Sequence, residues 1–394
     1  MRVLVGWDDV QEADLIRLYL NVEEELSTVC TDTASFLEVA EIEPFAFDIV
    51  LLATALPDHD AAFAAFQRVR RLRPNCPVVG VCRPDDVYRL APFLQQGLRA
   101  SLPRDLGGDF VFLLRATLEG TLEAVRAEAD QRAAAMMRRE LESVRFVQSA
   151  VLPEKVAAPP GYRLAVRYEP SRIEVAGGEA VAIGGDYYDV TSPDENHTTL
   201  ILADATGHGL RACLSMIALD ALLRVLPTAK FRDPAALLNE LNRLFCRQKL
   251  SRFGGGFVTA VCVVLRHDRH QLMWATAGHP SPLLNAGGHV WPLQRESPPG
   301  PPLGVDSDTV YQVETGVIPQ SGRLLLFTDG LSEAAPSPRD KQFGTERIAR
   351  VLQDGSTSSS PSATLENLFT EAKTFAAREG LFDDATALLL ERAV

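Results

Sequence analysis

No run of apolar residues in the 394-residue chain approaches the roughly 18 of a membrane-spanning helix. The amino terminus, MRVLVGWDD, also lacks an apolar stretch behind a basic start, so neither export nor anchoring is expected, and the cytoplasm is the expected compartment. Positive charge is scarce: 39 Lys and Arg stand against 52 Asp and Glu, a net charge of −13. A surface this acidic repels phosphate backbones and anionic lipid, which argues against nucleic-acid or membrane partners. The six cysteines (Cys30, Cys76, Cys82, Cys213, Cys246, Cys262) include no C-x-x-C and mostly sit in apolar runs, so they read as reduced core residues. No internal repeat is visible. What remains is a folded composition, 46% hydrophobic and 23% charged, long enough for two or three domains.

The chain reads in three parts. Over residues 1–107, the short apolar runs RVLVGW, LSTVC, DIVLLAT, PVVGVC and RASLP alternate with amphipathic segments such as DHDAAFAAFQRVRRLR. Strands alternating with helices predict a parallel, doubly wound, flavodoxin-like α/β domain. Over residues 108–155, Leu118, Leu122, Val125 and Ala129 recur at steps of four and three, and the stripe drifts through Met136 and Met137 to Leu141, Val144 and Val151. This predicts one long helical linker, coiled-coil-like, which either pairs with a second copy to make a homodimer or packs on a domain surface. Pro153 and Pro159-Pro160 close it. Residues 156–394 are rich in strands, with two expected helices, Leu210 to Leu226 and Pro234 to Leu250, and predict an α+β sandwich. The segments Gly254 to Gly256, Ser297 to Gly304 and Gly355 to Ser362 read as surface flaps.

Acidic residues close several strands of this last part: Asp186 in GGDYYD, Asp204 in LILADATGHG, Asp329 in LLLFTDG, and Asp383 with Asp384 in FDDAT. Any one of them could cap a turn. Together on one rim they would repel each other unless cations intervene, and hard oxygen donors select Mg²⁺ or Mn²⁺. Glycines beside three of these acids allow close backbone approach, so that the Ala205 carbonyl could also face a metal. Two such ions would activate a water for in-line attack on phosphorus. His208 and His279 follow glycines nearby; each could serve as a general acid, although loop packing is the expected role.

In their order, GGDYYD, DATGHG, FVTAVCVVL, ATAGHPSPLL, PLGV, LLLFTDGLSEA, the Phe343-Gly344 pair and DDAT resemble bacterial PPM-type (type-2C-like) metal-dependent serine/threonine phosphatases of the SpoIIE and RsbU group, from about Ser149 onward. The resemblance implies two ions, Mn²⁺ or Mg²⁺, held by Asp186, Asp204, the Ala205 carbonyl, Asp329 and Asp383, with Asp384 behind them. It implies hydrolysis of phosphoserine or phosphothreonine on a partner protein, typically a STAS-domain anti-sigma-factor antagonist. A catalytically silent phosphoprotein-binding scaffold is the alternative, and manganese-dependent hydrolysis separates the two. A diguanylate cyclase, suggested by GGD alone, does not fit the YYD that follows or the later acids.

Residues 1–107 resemble a response-regulator receiver, with Asp8 and Asp9 where the family carries an acidic pair. The pattern then departs: Ala53 stands where the phospho-accepting aspartate belongs, and Cys82 and Arg104 stand at the two switch positions. The expectation is a pseudo-receiver that forms no acyl phosphate and acts on the phosphatase through the linker.

Overall fold

The computed structural model describes residues 1–21, 27–42, 47–105, 110–175, 179–207, 209–247, 256–293, 299–337, 339–355, 360–377 and 381–393. The chain divides into two compact units, residues 1–133 and 134–394.

In the first unit, strands β1 (Val3–Gly6), β2 (Ser27–Cys30), β3 (Ile49–Ala53), β4 (Val78–Cys82) and β5 (Ala100–Pro103) alternate with helices α1 (Val10–Leu20), α2 (Thr33–Ile42), α3 (His59–Leu72) and α4 (Ala91–Gln95). The strands pair in parallel in the order β2-β1-β3-β4-β5, the doubly wound arrangement. Strands β1, β3 and β4 are fully buried and read as continuous apolar runs, as a sheet covered on both faces requires. Helix α5 (Phe110–Val151) is a single element of 42 residues. Its early stripe, Phe110, Leu114, Leu118 and Leu122, is buried against one face of this sheet. Farther along, Leu141 is buried with Val181, Ile183 and Cys213 of the second unit, and Val144 packs on the same cluster. Met136 and Met137 between these stretches are exposed.

The second unit holds two antiparallel five-stranded sheets. One runs β15-β12-β11-β10-β9 and the other β14-β13-β16-β17-β6. Their strands are β6 (Tyr162–Glu169), β9 (Asp186–Asp194), β10 (His197–Ala205), β11 (Val258–Arg266), β12 (Gln271–Ala277), β13 (Leu283–Ala286), β14 (His289–Pro292), β15 (Glu314–Val317), β16 (Arg323–Phe327) and β17 (Ala385–Arg392); a short pair, β7 (Arg172–Ile173) and β8 (Val181–Ala182), lies apart. Period-two alternation sorts the side chains into layers. Leu200 and Leu202 of β10, Val261 and Val263 of β11, Leu324 and Leu326 of β16, and Leu388 and Leu390 of β17 form the core between the sheets. Ile201 and Ala203 face the other way, onto α6 (Leu210–Val225) and α7 (Pro234–Arg247). On the second sheet, Leu325, Phe327, Ala387 and Leu389 pack outward. They meet two helices that the sequence reading left out: α9 (Gly344–Asp354) and α10 (Pro361–Ala376), which follow a short turn of helix, α8 (Asp329–Ser332).

The expected flap from Ser297 to Gly304 is also revised where it is described. Leu303 is buried and exchanges two backbone hydrogen bonds with Val258, while Gly304 donates to the buried Asn242 side chain. Residues 254, 255, 297, 298 and 356–359 of the expected flaps lie outside the described residues. All six cysteines are free. Among the described residues no helix is long and apolar enough to cross a membrane.

Candidate functional site

The alternation that builds the inter-sheet core also delivers the acids. Asp204 shares parity with Leu200 and Leu202, so it leaves β10 on the inter-sheet side at the strand's end. Asp186 begins β9 directly opposite it in the antiparallel register. From the facing sheet, Thr328 continues the parity of Leu324 and Leu326, and Thr386 and Asp384 continue that of Leu388 and Leu390. Both threonine hydroxyls donate to Oδ2 of Asp186, Thr328 at 2.9 Å and Thr386 at 2.6 Å, tying the two sheets together at this end. Thr328 Oγ1 in turn accepts from the Thr386 amide at 2.9 Å. Oδ1 of Asp186 is buried without a hydrogen-bond partner.

Asp384 accepts from the Ser171 amide at 2.6 Å and from the Gly185 amide, which fixes the chain just ahead of Asp186. Glycine is required around it. A Cβ on Gly330 would lie 1.8 Å from the Asp384 carbonyl oxygen, and one on Gly184 would lie 2.5 Å from its carboxylate. The loop after β16 and the loop before β17 can therefore pack together only without a side chain at position 330. Asp329 opens α8 half-buried, and Asp383 is exposed beside the buried Asp384. The buried Ala205 follows Asp204, with its carbonyl turned toward Gly185.

Electrostatics sets this cluster apart from a group of turn caps. Burial, then the charges of Asp329, Asp383 and Asp384, push Asp204 up to about 8. Burial followed by Glu333 and Asp383 pushes Asp329 up to about 6. Asp186 lies well above the usual carboxylate range because it is wholly buried beside Asp204 and Asp384, although the two threonine bonds favour its ionised form. Burial raises Asp384 too, against the opposing effect of its two amide donors. Five carboxylates thus share one field. Among the described residues no three His, Cys, Asp or Glu side chains close on one point as ligands of a single ion; Asp384 and one oxygen of Asp186 accept from protein donors. In chemistry the group still suits divalent cations: hard oxygen donors, mutual repulsion, and an orphaned buried oxygen on Asp186.

His279 is buried, and its Nδ1 lies 2.8 Å from Oγ1 of Thr259, the residue that pairs with Asp204 across β10 and β11. Burial pushes its pKa down to about 3, which favours the neutral ring, and its Nε2 is buried without a hydrogen-bond partner among the described residues. His208 lies outside the described residues.

Sequence reasoning missed Gln148 on α5. It is buried, its Nε2 donates to the Gly184 carbonyl at 2.7 Å and to the Tyr168 hydroxyl at 2.9 Å, and its Oε1 accepts from the Gly184 amide at 3.3 Å. One helix side chain therefore holds both polar backbone groups of the residue two positions ahead of Asp186. Thr328 and Thr386 were missed as well, although they lie inside the FTDG and DDAT motifs.

In the first unit, Ala53 ends β3 and Cys82 ends β4, both buried. Asp9 caps α1, accepting from the Gln11 and Glu12 amides at 2.9 and 3.0 Å. Arg104 is buried, with Nη1 2.6 Å from Asp8 and Nε 2.6 Å from Glu12. Its guanidinium lies 5.0 Å from the centre of the Trp7 ring.

Residues 194–393 match the family described as Stage II sporulation protein E (SpoIIE). Phosphoserine phosphatase RsbP of Bacillus subtilis (strain 168) is 26% identical over 204 residues, 51% of this chain and 47% of that protein, so the chain matches about half the length of this curated relative. The SiaA-PP2C domain of Pseudomonas aeruginosa superposes with a TM-score of 0.56 at 22% identity, covering 66% of this chain and 98% of the domain. The RsbU and RsbW domains of Rv1364c from Mycobacterium tuberculosis give 0.49 at 23% identity, over 62% and 63%. The SiaA likeness shows the PP2C fold. RsbP is named a phosphoserine phosphatase, a hydrolase, the SiaA domain is named a PP2C domain, and the family is metal-dependent. With the sandwich of the second unit and a match over half its residues, the chain belongs to the SpoIIE family.

Proposed function

We propose that the second unit is a metal-dependent serine/threonine protein phosphatase. The observation that carries the reading is the convergence of Asp186, Asp204, Asp329, Asp383 and Asp384, from chain segments as far apart as positions 186 and 384, into one mutually repelling cluster. Asp186, Asp204, the Ala205 carbonyl, Asp329 and Asp383 would hold two ions, Mn²⁺ or Mg²⁺. When bound, these would neutralise the cluster and supply the activated water that attacks phosphorus. The protein's own part is positioning. Thr328 and Thr386 fix Asp186 from the opposite sheet, Asp384 fixes the Gly185 amide, and Gln148 fixes Gly184. The exposed Asp383 marks the rim at which a seryl or threonyl phosphate on a partner protein would enter. A STAS-domain anti-sigma-factor antagonist is the partner class we assign, by analogy with the family.

The reading extends to regulation. Residues 1–107 act as a pseudo-receiver, with Ala53 unable to accept a phosphoryl group and Arg104 neutralising Asp8. The linker of residues 108–155 joins it to the phosphatase of residues 156–394, and the exposed Met136 and Met137 offer a face for a homodimer. The decisive assay is manganese-dependent release of phosphate from a phosphoserine STAS protein. Full activity in the native chain and loss in Asp204→Ala and Asp329→Asn are expected. Equal rates in the native chain and these variants would defeat the reading.

A further inference from the structure

We propose that the first unit binds a small organic polyphosphate, of the size of a nucleoside diphosphate, in an arginine-lined groove beside α5. The groove exists because α5 outruns the sheet it covers. Its stripe is buried as far as Leu122, and beyond that the helix passes the start of β5, where Arg99 reaches across to Glu128 with two contacts of 3.1 Å. The space left between this stretch of helix and the chain leading into β4 and β5 is about 650 Å³, within the range of small-molecule sites.

Arg70, Arg99, Arg126 and Arg132 line it, against one carboxylate, Glu128, in a chain whose net charge is −13. Glu128 serves both Arg99 and Arg132, the latter at 3.4 Å. Arg70 donates one nitrogen to the Pro74 carbonyl at 2.7 Å, and Arg126 has no ion-pair partner among the described residues. Four guanidinium groups around one carboxylate leave an excess of forked donors, which match phosphate oxygens in geometry and charge. Apart from Asn75 the remaining wall is apolar, formed by Leu122, Val125, Ala129, Pro74 and Pro77, and suits a flat organic body better than a bare inorganic ion. The groove lies at the amino ends of the strands, away from the carboxyl-end crevice that doubly wound sheets ordinarily use. This assignment concerns binding alone and does not depend on the activity of the second unit.

The test is calorimetric titration of the full chain with adenosine diphosphate, guanosine diphosphate and pyrophosphate. EDTA is present throughout, so that the carboxylate cluster offers no metal-bridged phosphate site. Expected are saturable binding of a nucleoside diphosphate that weakens as salt is raised, and a loss of affinity of roughly tenfold or more in Arg126→Ala/Arg132→Ala, whose positions on the helix surface tolerate alanine. The charge-reversed Arg126→Glu serves as a second variant and is expected to lose at least as much. Absence of saturable binding by all three probes, or binding indifferent to both variants, would overturn the site. Equal affinity for pyrophosphate would overturn the organic ligand.

Discussion

At the scale of single residues, the account rests on Asp186 and its surroundings. An ionised carboxylate that is wholly buried needs donors or a cation, and the structure gives it two hydroxyls on one oxygen and none on the other. Replacing Thr386 by valine keeps the shape and removes one donor. Thr386→Val is therefore expected to fold, to lose about 1–3 kcal/mol in urea denaturation, and to need more manganese for half-maximal phosphatase activity. An unchanged manganese requirement would remove Thr386 from the machinery. The pH dependence follows from the raised carboxylates. Asp204 and Asp329 hold their protons more tightly folded than unfolded, where the ordinary value is 3.8, so they favour the folded state at low pH. That contribution is lost as the pH rises through about 6 for Asp329 and about 8 for Asp204. In EDTA the melting temperature should fall between pH 5 and 9, and Mn²⁺ should restore it. A midpoint that stays flat in EDTA over this range would show that the carboxylates do not repel as placed.

Among the elements, α5 is the informative one. Its stripe of Leu118, Leu122, Leu141 and Val144 was legible as a continuous helix, and the structure uses those residues for packing within the chain. Gln148 was not legible, because a polar residue in a helix carries no sign that it reaches Gly184, 36 positions away. Gln148→Leu would strand both backbone groups of Gly184, so the manganese requirement should rise roughly 10- to 100-fold, as for other residues that position metal ligands. The exposed Arg145→Ala on the same helix is the control and should leave it unchanged. Equal effects of the two substitutions would reduce Gln148 to ordinary packing. The five acids were legible because each stands beside a turn at one end of a strand: Asp204 and Asp329 where an apolar run stops, Asp186, Asp383 and Asp384 where a strand starts. The two threonines in the same motifs were not, since their role appears only when two sheets face each other. Helices α9 and α10 are not evident in the sequence although Ser360 and Pro361 form a start signal: Ser360 caps α10 by accepting from the Ala363 amide at 3.2 Å, in the segment expected to be the flap from Gly355 to Ser362.

For the molecule as a whole, one chain joins a unit whose acidic pair is occupied internally to a unit in which Asp186 keeps one buried oxygen without a partner among the described residues and its acids stand in one another's field. In the first, Asp9 caps a helix and Asp8 is paired with Arg104, so neither is left to attract a cation. Incubation with acetyl phosphate should therefore label no residue of the first unit by mass spectrometry, and a phosphorylated aspartate there would refute the pseudo-receiver reading. In the second unit the acids repel across a shared rim, and the claim that they form a metal centre is the one on which the rest stands. Calorimetric titration of the metal-free chain with manganese tests it most directly. The account predicts saturable binding of two ions, with loss of at least one in Asp204→Asn and in Asp186→Asn. Titration that shows no saturable binding, or the same stoichiometry in both variants as in the native chain, would contradict it.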